Sequence, residues 1–268
     1  MGSDSLPTAQ SKPALIARPQ SRVRQFASLF DRPAVVYAAL VAVLVVAALF
    51  RLNNIAWDSG KTQHPDERFL FSVTNDLQWP ESFDTYFDPQ NSTLSPYSLP
   101  NMGLYVYGML PVYLVKWVAI ALDSNNYDAI QPIGRVASAL FDVGSVVFLF
   151  LVGKRLYSPK VGLLAALLLS LSVLNIQLSH FYTVDTFANL FVVATLYMVV
   201  RASASGRWLE YALAGVLLGL GLSSKISVAT LGVPIVLGAA LDLRRRILSG
   251  EDVARAAEQV LVRLVSLA

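Results

Sequence analysis

The 268-residue sequence contains no cysteine, which excludes disulfides and thiolate metal sites. Charge is scarce: Asp, Glu, Lys and Arg make up 15% of the chain, and only two histidines occur. No glycine-rich nucleotide loop, soluble catalytic domain or internal repeat with a period of about 20–50 residues is visible. Nothing points to a nucleic-acid partner, because the net charge of +3 is small and the basic residues are spread along the chain. A cleavable signal peptide is not expected. The first apolar run begins too far from the N-terminus and has no small-residue cleavage site after it, so it reads as a retained anchor.

What the chain has is apolar sequence in runs. Hydrophobic residues make up 55% of it, and the mean hydropathy is +0.54. Residues 34–50, 133–152, 161–178, 187–200, 209–222 and 226–241 each approach the ~20 residues that cross ~30 Å of hydrocarbon as a helix. Backbone polar groups in lipid must be satisfied within their own segment, so these runs read as helices. A doubly wound soluble fold also contains apolar runs, but not six of this length. The expected fold class is all-α, a polytopic transmembrane helix bundle with an outer-face loop carrying amphipathic juxtamembrane helices.

The distribution of charge orients the bundle. Lys12, Arg18, Arg22, Arg24 and Arg32 precede the first run, against Asp4 and Asp31. Short basic flanks stay in the cytoplasm. Residues 58–88 carry seven acids with only Lys61 and Arg68 as bases, which suits an outer loop. Lys154, Arg155 and Lys160, then Arg201 and Arg207, then Arg244–Arg246 are expected in the cytoplasm. This parity requires 104–122 to begin and end outside. Pro111 interrupts that segment, and Lys116 inside it opposes insertion by about 2.5–3.5 kcal/mol. It reads as interfacial or re-entrant, against the alternative of a tilted span with a snorkelling lysine. Residues 1–33 read as a disordered cytoplasmic tail, 34–245 as the transmembrane core with its outer loop over 52–131, and 246–268 as a cytoplasmic amphipathic helix. In that helix Ser249 is the candidate cap, and Val253, Ala257, Val260, Leu261, Leu264 and Val265 form one apolar face. The localisation expected is an integral, multi-pass plasma-membrane protein.

Both histidines lie near acids at expected membrane boundaries, His64 in His64-Pro65-Asp66-Glu67-Arg68 and His180 five residues before Asp185. Pro65 suits the first position of a helix. Phe69, Leu70, Val73 and Leu77 continue at helical spacing, which predicts an amphipathic helix on the membrane with an acidic N-terminus. On spacing alone, Asp66 and Glu67 could serve only to complement the helix dipole. Parity delivers His64, Asp66, His180, Asp185 and Lys225 to one outer face.

An Asp-Glu pair just after the first span resembles the membrane glycosyltransferases of the GT-C superfamily. The branch it is most similar to holds the dolichyl-phosphate-mannose protein mannosyltransferases and the aminoarabinose lipid A transferases. Four further stretches are similar in order and spacing: Tyr105-Val106-Tyr107-Gly108-Met109-Leu110-Pro111, Gly134-Arg135-Val136-Ala137-Ser138-Ala139-Leu140, the loop from His180 to Phe187, and Gly219-Leu220-Gly221-Leu222-Ser223-Ser224-Lys225. The resemblance covers about residues 34–245. It implies a polyprenyl-phosphate sugar donor, a glycan, lipid or protein acceptor entering from the outer face, and an inverting displacement. Carried over, Asp66 is the general base and Glu67 orients the acceptor or the base. Asp185 binds sugar or acceptor, and His64 and His180 lie at the substrate site. Lys225, Arg68 and Arg135 are the candidate cations for the lipid phosphate, Lys225 foremost. The superfamily is commonly about a dozen spans long, so further C-terminal spans are expected to complete the lipid groove.

Other readings stay open at this point. No metal is required by the resemblance, although His64, His180 and Asp185 could share a divalent ion. Positions 180 and 185 do not share a helical face, and Asp185 could instead cap the following helix. Asp142 with His180 and Asp185 could form a proton relay in a transporter, but no duplicated half accompanies them. A non-catalytic membrane scaffold is the third reading. Asn91-Ser92-Thr93 matches a glycosylation sequon, and Gly215 to Gly219 forms a GxxxG pattern suited to close helix packing.

Overall fold

The computed structural model describes residues 30–88, 91–99 and 104–265. Of the expected N-terminal tail, residues 1–29 lie outside the described residues. Every regular element among the described residues is helical. The first helix, α1 (Pro33–Leu52), opens on proline, whose missing donor is not needed there. The outer loop contributes α2 (Pro65–Asp76), a short α3 (Phe83–Phe87) and α4 (Leu110–Ala121). Then follow α5 (Tyr127–Leu156), α6 (Pro159–Ser170), α7 (Val173–Ser179), α8 (Val184–Ser205), α9 (Trp208–Leu222), α10 (Gly232–Leu248) and α11 (Val253–Val265).

The central helix is α5, which packs on α1, α2, α4, α6 and α8. Asn126 caps it by accepting from the Ala129 N–H. Its 30 residues extend about 45 Å at 1.5 Å per residue, more than the bilayer core requires. Helices α9 and α10 pack on its neighbour α8. Among the described residues four stretches are long and apolar enough to cross a membrane, α1, α5, α8 and 226–248, and α6 with α7 makes a fifth if the bent pair is one span.

Two expected spans are irregular. The 161–178 run divides into α6 and α7, bent by 58°. The bend frees carbonyls at the end of α6, and the buried Arg51 side chain covers two of them. Its guanidinium donates to the Ser170 carbonyl at 3.0 Å and the Leu169 carbonyl at 3.1 Å, while its Nε pairs with Asp142 at 2.5 Å. Such satisfaction is what lets a helix break at membrane depth. The 226–241 run begins as a 3₁₀ turn, Ile226–Leu231, before α10. The 209–222 run becomes α9, whose 15 residues extend about 22 Å, most of the bilayer core.

Within 104–122 only α4 is helical, and its 12 residues reach about 18 Å, too short to cross. Lys116 does not snorkel to water. It is buried, and its ammonium donates to the Asn75 carbonyl at the end of α2 at 3.1 Å. Helix α2 is also not simply laid on a surface. Leu70, Phe71, Val73 and Leu77 are buried with Val112, Val115 and Ala119 of α4, Ile130 of α5, and Tyr182 and Phe187. Ser249 does not cap the last helix, since Asp252 does: its carboxylate accepts from the Ala254 and Arg255 N–H groups at 3.1 Å.

Candidate active site

The acidic pair divides at the start of α2. His64 is the N-cap, its Nδ1 accepting from the Asp66 N–H at 3.2 Å. Its ring lies 4.7 Å from that of Phe181. From this cap Asp66 points to a half-buried position, whereas Glu67 points inward and is fully buried.

Glu67 belongs to a closed network around Arg135. The guanidinium donates to Glu67 through Nε at 2.6 Å and Nη2 at 2.7 Å. It donates to Asp58 through Nη1 at 2.9 Å and Nη2 at 2.8 Å, and to the Ile55 carbonyl at 2.7 Å. Arginine has five N–H donors, and all five are engaged. Arg135 therefore has none left for a phosphate, and both Glu67 carboxylate oxygens are engaged. Both act here as struts between the 53–64 loop, α2 and α5. The Arg135 guanidinium, against the opposing effect of burial, holds the Asp58 carboxyl below its usual range.

Tyr182 extends the same network. Its backbone N–H donates to Glu67 at 2.9 Å, and its hydroxyl meets Thr74 at 3.0 Å and the Pro111 carbonyl at 3.3 Å. Gly134 is required beside it, since a Cβ there would overlap the Tyr182 ring. The Gly134-Arg135 pair is thus one device: one residue admits the tyrosine, and the next holds the acids.

A second junction joins the loop before α4 to the end of α9. The Gly108 N–H donates to the Ser224 carbonyl at 3.0 Å, and the Leu110 N–H to the Ser223 carbonyl at 2.9 Å. A side chain at Gly108 would collide with the Ser223 carbonyl. This docking carries Tyr107 toward Asp66 and Asp185. Burial first, then a hydrogen bond and charge from Asp66, then the charge of Asp185, push the Tyr107 hydroxyl up to about 12. Tyr107 keeps its proton at neutral pH. Sequence reasoning missed this placement, although the glycine after Tyr107 was a signal of close backbone approach.

Asp185 does not cap α8. Thr183 is the N-cap residue, and Asp185 lies in the first turn. Its carboxylate accepts from Lys225 at 2.6 Å, with each side chain about one-third exposed. The ammonium has three donors, so two remain beside this pair. Arg68 is exposed and donates to the Thr62 carbonyl at 3.3–3.4 Å. His180 faces two carbonyls, Ile176 at 2.7 Å and Asn53 at 3.0 Å. Its ring nitrogens thus face carbonyl oxygens rather than Asp185 or His64. No group of three or more His, Asp or Glu placed to hold a metal occurs among the described residues.

Behind Asp185 and Lys225 lies a cleft of about 550 Å³ between α7, α8 and the Ile226–Leu231 turn. Leu174, Leu178, Val192, Val228 and Leu231 give it apolar walls. Asn175 on its lining donates to Asp142 at 3.1 Å, the carboxylate that holds Arg51. Asp142 is thus fixed by two partners and fully buried, an arrangement suited to structure rather than to proton relay.

Among curated proteins none matches the chain significantly. Solved structures share its fold. The oligosaccharyltransferase of Archaeoglobus fulgidus in complex with zinc and sulfate aligns with a TM-score of 0.57 at 18% identity, over 85% of this chain and 34% of its own. Its apo form aligns with a TM-score of 0.58 at 16% identity, over 87% and 32%. The same archaeal enzyme, AglB, with an inhibitory peptide and a dolichol-phosphate aligns at 0.57 and 15% identity, again over 87% and 32%. The chain therefore spans about a third of the length of the structures it matches. A family model, dolichyl-phosphate-mannose-protein mannosyltransferase, matches residues 112–264, more than half of the chain. The chain is a member of that mannosyltransferase family, a membrane protein with the helical fold of the GT-C glycosyltransferases.

Proposed function

We propose that this chain transfers a sugar from a polyprenyl-phosphate carrier to an acceptor hydroxyl at the outer face of the plasma membrane. The observation that carries the reading is the nearness of two groups, linked through Tyr107. Tyr107 feels the charge of both Asp66 and Asp185, and the Asp185–Lys225 pair lines the apolar cleft. A polyprenyl phosphate needs a cation at its head and apolar walls along its tail, and the cleft offers both. That the archaeal enzyme of like fold was solved with a dolichol-phosphate supports a donor of this class.

In the proposed reaction the acceptor oxygen attacks the anomeric carbon as the bond from that carbon to the phosphate oxygen breaks. Attack opposite the leaving group inverts the configuration. Asp66 takes the hydroxyl proton as general base, with the Tyr107 hydroxyl fixing its orientation. Lys225 stabilises the departing phosphate with the donors that Asp185 leaves unused. Asp185 holds Lys225 and lines the sugar end. His64 fixes the backbone of Asp66, and Arg68 borders the entry. The acceptor is a glycan, lipid or protein hydroxyl. No step is routed through a metal.

The core of this reading is residues 34–245, with the 52–131 loop carrying the base outside and residues 1–33 and 246–268 in the cytoplasm. The acid-rich 58–88 segment and the basic clusters at the C-terminal ends of α5, α8 and α10 support that orientation. Lys225→Gln tests the phosphate role. Hydrogen bonds to charged groups contribute enough that polyprenyl-phosphate binding should weaken about 10–100-fold. Arg68→Gln should change it far less. Equal affinity of Lys225→Gln and the unsubstituted protein would remove Lys225 from the phosphate site.

A further inference from the structure

At the end of the bundle opposite Asp66, a second cleft of about 550 Å³ opens between the last turns of α5 and α8 and the start of α9. Four cations line it, Lys154, Arg155, Arg201 and Arg207, against the single acid Glu210. The acid is committed: Glu210 is 4% exposed, accepts from Arg201 through Nε at 3.0 Å and Nη2 at 2.5 Å, and accepts from Ser205 at 2.5 Å. Arg201 also lies over the Tyr197 ring, 5.7 Å from its centroid. Lys154 has only a neutral partner, the Tyr37 hydroxyl at 3.1 Å. Arg155 and Arg207 are exposed, and neither has an ion pair among the described residues.

The neighbouring basic cluster differs. Arg245, Arg246 and Arg263 converge on the buried Asp242, which also accepts from Tyr211. The net positive charge available to a ligand is therefore concentrated in the first cleft. Its wall includes the apolar Leu151 and Tyr197. Leu156, Trp208 and Leu209 are exposed on the flanking helices α5 and α9, at 52%, 65% and 44%. An indole at the end of an apolar helix marks the lipid–water boundary. Cations over an apolar wall at that depth match a phosphodiester headgroup with its acyl chains alongside.

We propose that this cleft binds the headgroup of an anionic phospholipid from the leaflet opposite the Asp66 site. Arg155, Arg207 and Lys154 contact the phosphate, and the Glu210–Arg201 pair holds the cleft open. The site is separate from the proposed transferase site, and neither reading depends on the other.

The test is lipid binding to the full chain in neutral detergent, read by native mass spectrometry, with phosphatidylglycerol and phosphatidylcholine as probes. Phosphatidylglycerol should bind in preference, and Arg155→Gln/Arg207→Gln should weaken it by about thirty-fold, from the usual worth of two basic residues at an anionic surface. Arg244→Gln removes an exposed charge from the same end but outside the cleft, and should leave binding nearly unchanged. If the double variant does not elute as a folded species, Arg155→Gln alone should still give a several-fold loss. Equal binding of the two lipids would overturn the proposal. So would an equal loss from Arg244→Gln, which would mean a diffuse basic belt, or displacement of the lipid by millimolar inorganic phosphate, which would mean a soluble-anion site.

Discussion

Arg135 shows how one side chain can decide the state of its surroundings. It stands 1% exposed between two carboxylates, and every N–H it has is engaged. Removing it leaves Asp58 and Glu67 as buried charges without a cation. Arg135→Gln should therefore destabilise the protein by about 3–5 kcal/mol, the cost of breaking a buried pair, seen as a lower Tm in detergent. The pair also sets a pH dependence. Asp58 has a lowered folded-state pKa, chiefly through the Arg135 hydrogen bond. A depressed carboxylate contributes stability that is present above its unfolded pKa and lost as pH falls through the folded value. Tm should hold between pH 7 and 5 and fall below about pH 4, where a free Asp carboxyl titrates. Asp58→Asn should lower Tm at pH 7 and flatten that acid limb. An acid limb identical in Asp58→Asn and the parent would exclude this pair as its source.

At the scale of elements, the junction between the 104–109 loop and the end of α9 brings two distant motifs together. Gly108→Ala should force that loop from Ser223 and Ser224, because the added Cβ meets a backbone carbonyl rather than a movable side chain. We expect a loss of about 1–3 kcal/mol and a fall in transfer activity as Tyr107 leaves Asp66. Unchanged activity would separate Tyr107 from the site. Helix α4 carries a second prediction. Since it is too short to cross, cysteines placed at Ser98 and Asn125 in this cysteine-free chain should both react with an impermeant reagent from outside, and one at Ser158 should not. Labelling of only one of the first two would mean that the 104–122 segment crosses.

Which elements were legible follows from the same physics. Apolar runs disclose helices because lipid permits little else, so α1, α5 and α8 could be read directly. The break between α6 and α7 was hidden, since it depends on Arg51, a residue over a hundred positions away whose donors cover the freed carbonyls. The site divides in the same way. That a helix would open at Pro65 with Asp66 in its first turn was readable from the proline and the spacing. The burial of Glu67 was not, because Asp66 and Glu67 have the same chemistry in one dimension, and only the turn of the helix sends one toward Arg135. Tyr107 was hidden likewise: its partner Asp66 is set by the docking of Gly108, not by sequence distance.

On the scale of the whole molecule, the bundle holds two polar ends joined by apolar helices. One holds Asp66 and Tyr107 near the Asp185–Lys225 pair that lines an apolar cleft, and the other gathers Lys154, Arg155, Arg201 and Arg207. The central claim is that the first end transfers a sugar from a lipid phosphate with Asp66 as base. The most direct test is transfer of labelled sugar from a polyprenyl-phosphate donor in membranes carrying either the unsubstituted protein or Asp66→Asn, with donor binding measured in parallel. General-base loss should lower turnover by about 10²–10⁴-fold while polyprenyl-phosphate binding and insertion stay unchanged. Near-normal turnover in Asp66→Asn would contradict the account.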